Sequence, residues 1–215
     1  MHCETLAKVL SYNVIGEIKG SQFPDEIISV GGHLDSWDVG EGAHDDGAGC
    51  LQAIDVLRTV KALTIRPLHT LRAVMWVDEE NSQSGSKAYA ERNRQQKNIT
   101  QIAALESDLG GFLPLGFYIG TENKAAFDRV MSWKKYFEPY QILQFSKDDD
   151  PGTDLYTLKN DSILLLGLMT NSQRYFSEVH HSVKDVFEEV DKRELELGTA
   201  ALTSMVFLID KYGIR

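Results

Sequence analysis

Ile27-Ile28-Ser29-Val30-Gly31-Gly32-His33-Leu34-Asp35, with the glycine-rich stretch Gly40-Glu41-Gly42-Ala43-His44-Asp45-Asp46-Gly47-Ala48-Gly49 behind it, decides the fold. A short apolar run ends in two glycines, and polar side chains able to hold a cation begin at once. The glycine-rich loop then opens into residues 51–63, where Leu51, Ile54, Leu57 and Val60 recur at helical spacing. The unit is a strand, a polar loop and a helix.

The same alternation continues outward in both directions. Residues 12–18 and 27–30 read as two strands joined by a Gly/Ser/Pro turn, an expected antiparallel hairpin at one edge. Residues 71–77, 102–105 and 162–168 read as further buried strands. Residues 84–95, 125–137 and 192–212 read as helices. Strands alternating with helices predict an α/β protein with a sheet sandwiched by helices, and the hairpin makes that sheet mixed. No repeat or long linker divides residues 1–215, so one domain is expected.

Composition narrows the classes. With 42% hydrophobic and 25% charged residues, the chain has the make-up of an ordinary globular protein. A net charge of -10 argues against nucleic acid, whose phosphates need clustered Lys and Arg. The longest apolar run, 163–169, is far short of the roughly 20 residues of a membrane helix. The opening Met1-His2-Cys3-Glu4 has no signal-peptide pattern. Cys3 and Cys50 are too few for a disulfide framework. Asn98-Ile99-Thr100 and Asn160-Asp161-Ser162 match the glycosylation triplet, which matters only in a secreted chain.

The acidic and histidine residues fall at strand ends. His33 and Asp35 follow the first buried strand, Asp45 and Asp46 precede a helix, and Glu79 and Glu80 follow 71–77. Asp108 follows 102–105, and His180 and His181 follow 162–168. Each cluster alone has an ordinary explanation: Asp-Asp caps a helix, Glu-Glu is solvated, and a lone His bonds at a surface. Open α/β sheets build their sites beyond the carboxyl ends of strands, so the clusters should converge. That many carboxylates in one crevice repel unless a cation joins them. Two His and three carboxylates without Cys suit zinc or another borderline divalent ion. Five ligands exceed one catalytic zinc and fit two ions sharing a carboxylate, roughly 3.5–4 Å apart. One further carboxylate beside a ligand would move the proton of an attacking water.

At these residues the chain resembles the M28 family of zinc exopeptidases. The resemblance rests on Gly31-Gly32-His33-Leu34-Asp35, Gly42-Ala43-His44-Asp45-Asp46-Gly47-Ala48-Gly49, Trp76-Val77-Asp78-Glu79-Glu80, Leu105-Glu106-Ser107-Asp108 and His180-His181-Ser182, in family order. It implies two zinc ions per chain bridged by Asp45. His33 and Asp108 would complete one shell, and Glu80 and His181 the other. Glu79 would be the catalytic acid/base. Asp35 would orient His33, Asp185 would keep a supporting acidic position, and the Asp45-Asp46 peptide would be cis. The extension Ser36-Trp37-Asp38-Val39-Gly40 is similar to one carboxypeptidase branch of the family. That likeness implies a peptide substrate, dipeptide hydrolysis, a secreted or lysosomal location and a homodimer.

The chain departs from the pattern after His181, where Lys184 precedes Asp185, and at His44, where relatives carry a small or apolar residue. His44 is expected to be a solvent-facing loop residue. Family catalytic domains begin well before the His33 motif, so residues 1–215 are expected to be the carboxyl-terminal part of a longer catalytic domain. The main rival function is an inactive scaffold of the same fold; against it stands the complete set of ligands and the Glu. An aminopeptidase would differ only in its substrate pocket, and a glutaminyl cyclase would bind one zinc. Other chemistries lack their motifs. There is no G-x-S-x-G elbow and no Walker loop, and Asp45 stands where a dinucleotide fingerprint needs its third Gly. The run Asp148-Asp149-Asp150-Pro151-Gly152 lacks EF-hand spacing and reads as a solvated turn.

Overall fold

The computed structural model describes residues 4, 6–160 and 162–214. Cys3, the opening residues 1–3, and Asp161 of the second glycosylation triplet lie outside the described residues. The elements in chain order are β1 (Val14–Ile18), β2 (Phe23–His33), α1 (Ala48–Ala62), β3 (His69–Trp76) and α2 (Ser84–Gln95). There follow β4 (Thr100–Glu106), β5 (Gly116–Gly120), α3 (Lys124–Phe137), β6 (Gln144–Lys147) and α4 (Thr153–Tyr156). The chain ends with β7 (Leu164–Met169), α5 (Ser172–Arg174) and α6 (Lys192–Tyr212).

Among the described residues the strands form one seven-stranded sheet in the order β1-β3-β2-β4-β7-β5-β6. Its centre, β3-β2-β4-β7, is parallel. β1 runs antiparallel to β3, and β5 runs antiparallel to β7. The expected mixed α/β sheet is therefore present.

The expected hairpin is not. β1 is an edge strand, but its partner is β3, with Val14 opposite Met75, and β2 lies on the far side of β3. Burial explains the choice. Residues 27–33 of β2 are buried on both faces and need neighbours on both sides, whereas β1 is largely exposed and suits an edge. The connecting turn is tied to the strand that separates them: Ser21 N–H donates to Pro67 O at 2.9 Å and Phe23 N–H to Leu68 O at 2.8 Å.

The period of two along a strand sends alternate side chains to opposite faces. On β3, Leu71, Ala73 and Met75 enter the larger core, with Val56 and Val60 of α1, Val130 of α3 and Leu202 of α6. Val74 and Trp76 enter a second core with Tyr89 of α2 and Leu155 of α4. Each such large side chain contributes roughly 1.5–3 kcal/mol by leaving water. The 21-residue helix α6 is capped by Asp191, whose carboxylate accepts the Glu194 N–H at 2.9 Å. Near its other end, the Asp210 carboxylate accepts the N–H groups of Leu68 at 3.0 Å and His69 at 2.8 Å. That anchors α6 to the amino end of β3, so the opposite edge of the sheet is left for the polar loops.

Candidate metal centre

The four parallel strands end side by side, and each delivers part of one cluster. His33 closes β2, Glu79 and Glu80 sit in the turn after β3, and Asp108 lies two residues beyond β4. His181 comes from the segment after β7, with φ of 53°. This is the crevice in which open α/β sheets place their sites.

Asp45 stands in the middle. Its Oδ1 lies 3.3 Å from His33 Nε2, and its Oδ2 lies 3.4 Å from His181 Nε2. On one side, His33 Nε2 is 3.2 Å from Asp108 Oδ1. On the other, His181 Nε2 is 3.0 Å from Glu80 Oε2. Glu79 Oε2 is 3.9 Å from His33 Nε2, at the edge of the group. All six residues singled out from the sequence as ligands or acid/base are thus brought together.

The surrounding hydrogen bonds hold this geometry. His33 Nδ1 lies 2.8 Å from the main-chain O of Asp35. A carbonyl only accepts, so Nδ1 carries a proton, and Nε2 is the ring nitrogen turned towards Asp45 and Asp108. Asp35 thus reaches His33 through its main chain. Its carboxylate lies 4.0 Å from Nδ1 and accepts the N–H groups of Glu79 at 3.1 Å and Glu80 at 3.3 Å. Asp46 Oδ2 accepts the His33 N–H and Oδ1 the Gly49 N–H, both at 2.9 Å. A side chain at Gly32 or Gly49 would run into that carboxylate, so the close approach requires glycine at both. The Asp45-Asp46 peptide is cis. Asp185 is buried, and its carboxylate accepts the N–H groups of His44 at 2.5 Å and Asp45 at 3.3 Å, while Lys184 beside it is exposed.

His44 is not solvent-facing. It is fully buried, stacked on Phe112 with ring centroids 4.4 Å apart, and its Nδ1 accepts the Gly111 N–H at 3.1 Å. The loop after β4 covers it, a contact across 67 residues that local pattern does not reveal. Asp150 is exposed, as a solvated turn requires, but the adjoining Pro151 is buried. Near Asp45 stand two further residues, one unmarked in the sequence and one not told apart from its neighbour. Burial would raise the Asp45 carboxyl, but His33 and the nearby Tyr175 hydroxyl hold it below its usual range, and nothing in the sequence around Tyr175 marks it. His180 stacks on His181 at 3.6 Å and shares reach of Asp45; two adjacent histidines cannot be told apart by sequence.

The electrostatics are those of a centre short of positive charge. Burial pushes the Asp108 and Asp46 carboxyls up, with Asp108 adding to the shift at Asp46. Burial, then the Asp108 charge, pushes Glu79 up to about 7. Burial and the Asp45 charge raise Glu80. Burial alone would lower the His33 pKa, but its bonds to Asp108 and Asp45 outweigh it and hold a proton on the ring. A divalent cation relieves all of these at once. Donor atoms of His33-Asp45-Glu80, His33-Asp46-Asp108 and Asp45-His180-His181 each lie within 4.8 Å of one another. Glu80 Oε1 is buried with no hydrogen-bond partner among the described residues, an orphaned acceptor of the kind a metal satisfies. A set of imidazole and carboxylate donors without thiolate fits zinc.

Known proteins resemble this chain in sequence and fold. Residues 13–206 match the model of peptidase family M28. The chain is 35% identical over 201 residues to carboxypeptidase Q of Bos taurus, covering 93% of this chain and 41% of that protein. It is 36% identical over 202 residues to carboxypeptidase Q of Xenopus laevis, covering 93% of this chain and 42% of that one. The chain thus spans less than half the length of these relatives. Among solved structures, the peptidase M28 precursor from Shewanella amazonensis superposes with a TM-score of 0.84 at 29% identity, covering 94% of this chain and 45% of that one. A zinc aminopeptidase from Bacillus subtilis shares the fold, with a TM-score of 0.72 at 18% identity over 91% of this chain and 49% of that one. A shared fold, a converging set of His and carboxylate donors and a family match over nearly the whole chain lead to one conclusion: the protein belongs to peptidase family M28.

Proposed function

We propose that this chain carries a two-zinc exopeptidase centre that hydrolyses dipeptides or terminal peptide bonds, in the manner its carboxypeptidase Q relatives' name suggests. The observation that supports it best is the division of Asp45 between two half-sites, Oδ1 towards His33 and Oδ2 towards His181. In this reading His33, Asp108 and Asp45 would hold one ion, and Glu80, His181 and Asp45 the other. Asp185 fixes the main chain of Asp45, and Asp35 fixes the turn that carries Glu79 and Glu80.

Bound zinc would supply a Lewis acid for the scissile carbonyl and a water of lowered pKa. The side chains do the rest. Glu79, half-buried with its Oε2 3.9 Å from His33 Nε2 and outside the three donor groups, takes the proton of the attacking water on its carboxylate. It then returns that proton to the leaving amine. Because Glu79 ligates neither side, its removal should cost turnover and spare metal binding. The reading extends to a secretory or lysosomal location, for which the exposed Asn98 triplet is a usable acceptor, and to a peptide substrate with free ends.

The test is hydrolysis of dipeptides with free, amino-blocked and carboxyl-blocked ends, comparing the native chain with Glu79→Gln. Turnover that falls at least about 1,000-fold at unchanged zinc content supports the assignment, since acid–base groups contribute on the order of 100–10,000-fold. Full turnover in Glu79→Gln would contradict it.

A further inference from the structure

Trp37 lies just past Asp35 in the loop that follows β2 and is 46% exposed. Half-exposed tryptophan needs a reason, because its ring gains by burial. The other two tryptophans, Trp76 and Trp133, are buried in the two cores. Trp37 instead turns its indole towards the metal centre. Its Nε1–H donates to Glu80 Oε2 at 2.7 Å, and its ring lies 5.3 Å from the His181 ring at 49°. One side chain therefore touches both residues assigned to the same half of the centre.

The contact constrains Glu80 in a specific way. A carboxylate at the end of a Glu side chain rotates with little resistance about its last torsion. The indole N–H is a donor without acceptor capacity, so it can only pull on one oxygen. It takes Oε2, which also faces His181, and leaves Oε1 buried and without a partner among the described residues. The Glu80 side chain is only 7% exposed, so water does not easily substitute for the lost donor. The main chain of Glu80 is already held by the Asp35 carboxylate. Residues 35 and 37 of one loop thus grip Glu80 at both ends.

We propose that Trp37 is a positioning residue that fixes the Glu80 carboxylate and so sets the divalent-cation affinity of the Glu80–His181 half of the centre. The inference rests on the two-metal reading above. Outer hydrogen-bond partners of metal ligands typically tune affinity by about 10–100-fold. Nothing in the Trp37 contacts reaches His33 or Asp108, so the effect should be confined to one of two binding steps.

Trp37→Phe keeps the ring and removes the N–H. The experiment strips both proteins with a chelator, confirms equal thermal midpoints, and titrates each with cobalt(II) alone while recording d–d absorption and tryptophan fluorescence. The native chain should bind two ions in two steps, with fluorescence following the step at the Glu80 side. Trp37→Phe should weaken that step about 10–100-fold, change its absorption band and leave the other step within about 3-fold. Two unchanged steps with an unchanged spectrum would overturn the role of Trp37 and leave the metal centre standing. No binding by the native chain would overturn both. Should the variant not fold, the native titration decides alone: cobalt binding at both steps without any fluorescence change overturns the proposal.

Discussion

The main-chain N–H of Glu79 donates to the Asp35 carboxylate at 3.1 Å, which binds the loop after β2 to the turn after β3. The neighbouring N–H of Glu80 donates to the other carboxylate oxygen at 3.3 Å. Asp35→Ala should therefore release that turn. His33 keeps its own bond, because it uses the main-chain O of residue 35. Turnover should fall about 10–100-fold while the His33 side still binds metal. Dipeptide hydrolysis measured together with metal content checks this, and native activity in Asp35→Ala would remove the turn from the mechanism.

Asp210 supports the fold from the far edge of the sheet. It is buried, accepts the N–H groups of Leu68 and His69, and lies 3.0 Å from His69 Nδ1. Asp210→Ala leaves buried donors without acceptors, at a cost of about 1–3 kcal/mol for each. Urea unfolding should show a loss of about 2–4 kcal/mol, with a smaller loss in Asp210→Asn, which keeps one acceptor. A loss below about 0.5 kcal/mol would mean that α6 is anchored by packing alone.

Asp154 on α4 gives the fold a pH dependence of known sign. Burial pushes its carboxyl from 3.8 up to about 7. Between those values the folded chain holds a proton that the unfolded chain has released. Stability therefore falls as pH rises from about 4 to 7 and levels off above. Asp154→Asn removes that group, so its urea midpoint should fall less between pH 5 and pH 8 than that of the native chain, both measured with a chelator present. Equal pH dependence in the two proteins would contradict this.

The strongly periodic elements were legible in the sequence. Helix α6 falls at 192–212 as its pattern predicts, and the buried runs of β2, β3, β4 and β7 announce themselves as apolar stretches. β5 and β6 escaped notice because one is bounded by glycines and the other is short and polar. The order of strands was misjudged at β1, since adjacency in sequence favours a hairpin while two-sided burial of β2 does not. In the site, residue types carried the reading: His33, Asp45, Glu79, Glu80, Asp108 and His181 all meet. Orientation did not follow from type. The carboxylate of Asp35 holds the turn after β3 and lies 4.0 Å from His33 Nδ1, His44 is buried by a loop 67 residues away, and Tyr175 comes near Asp45 with no local signal.

The division of Asp45 between two half-sites is tested most directly by counting metal. Elemental analysis of the folded, monodisperse chain should find two zinc ions per chain, and Asp45→Ala should lose both together. One ion in the native chain, none at all, or a single ion retained in Asp45→Ala would contradict a bridged two-metal centre.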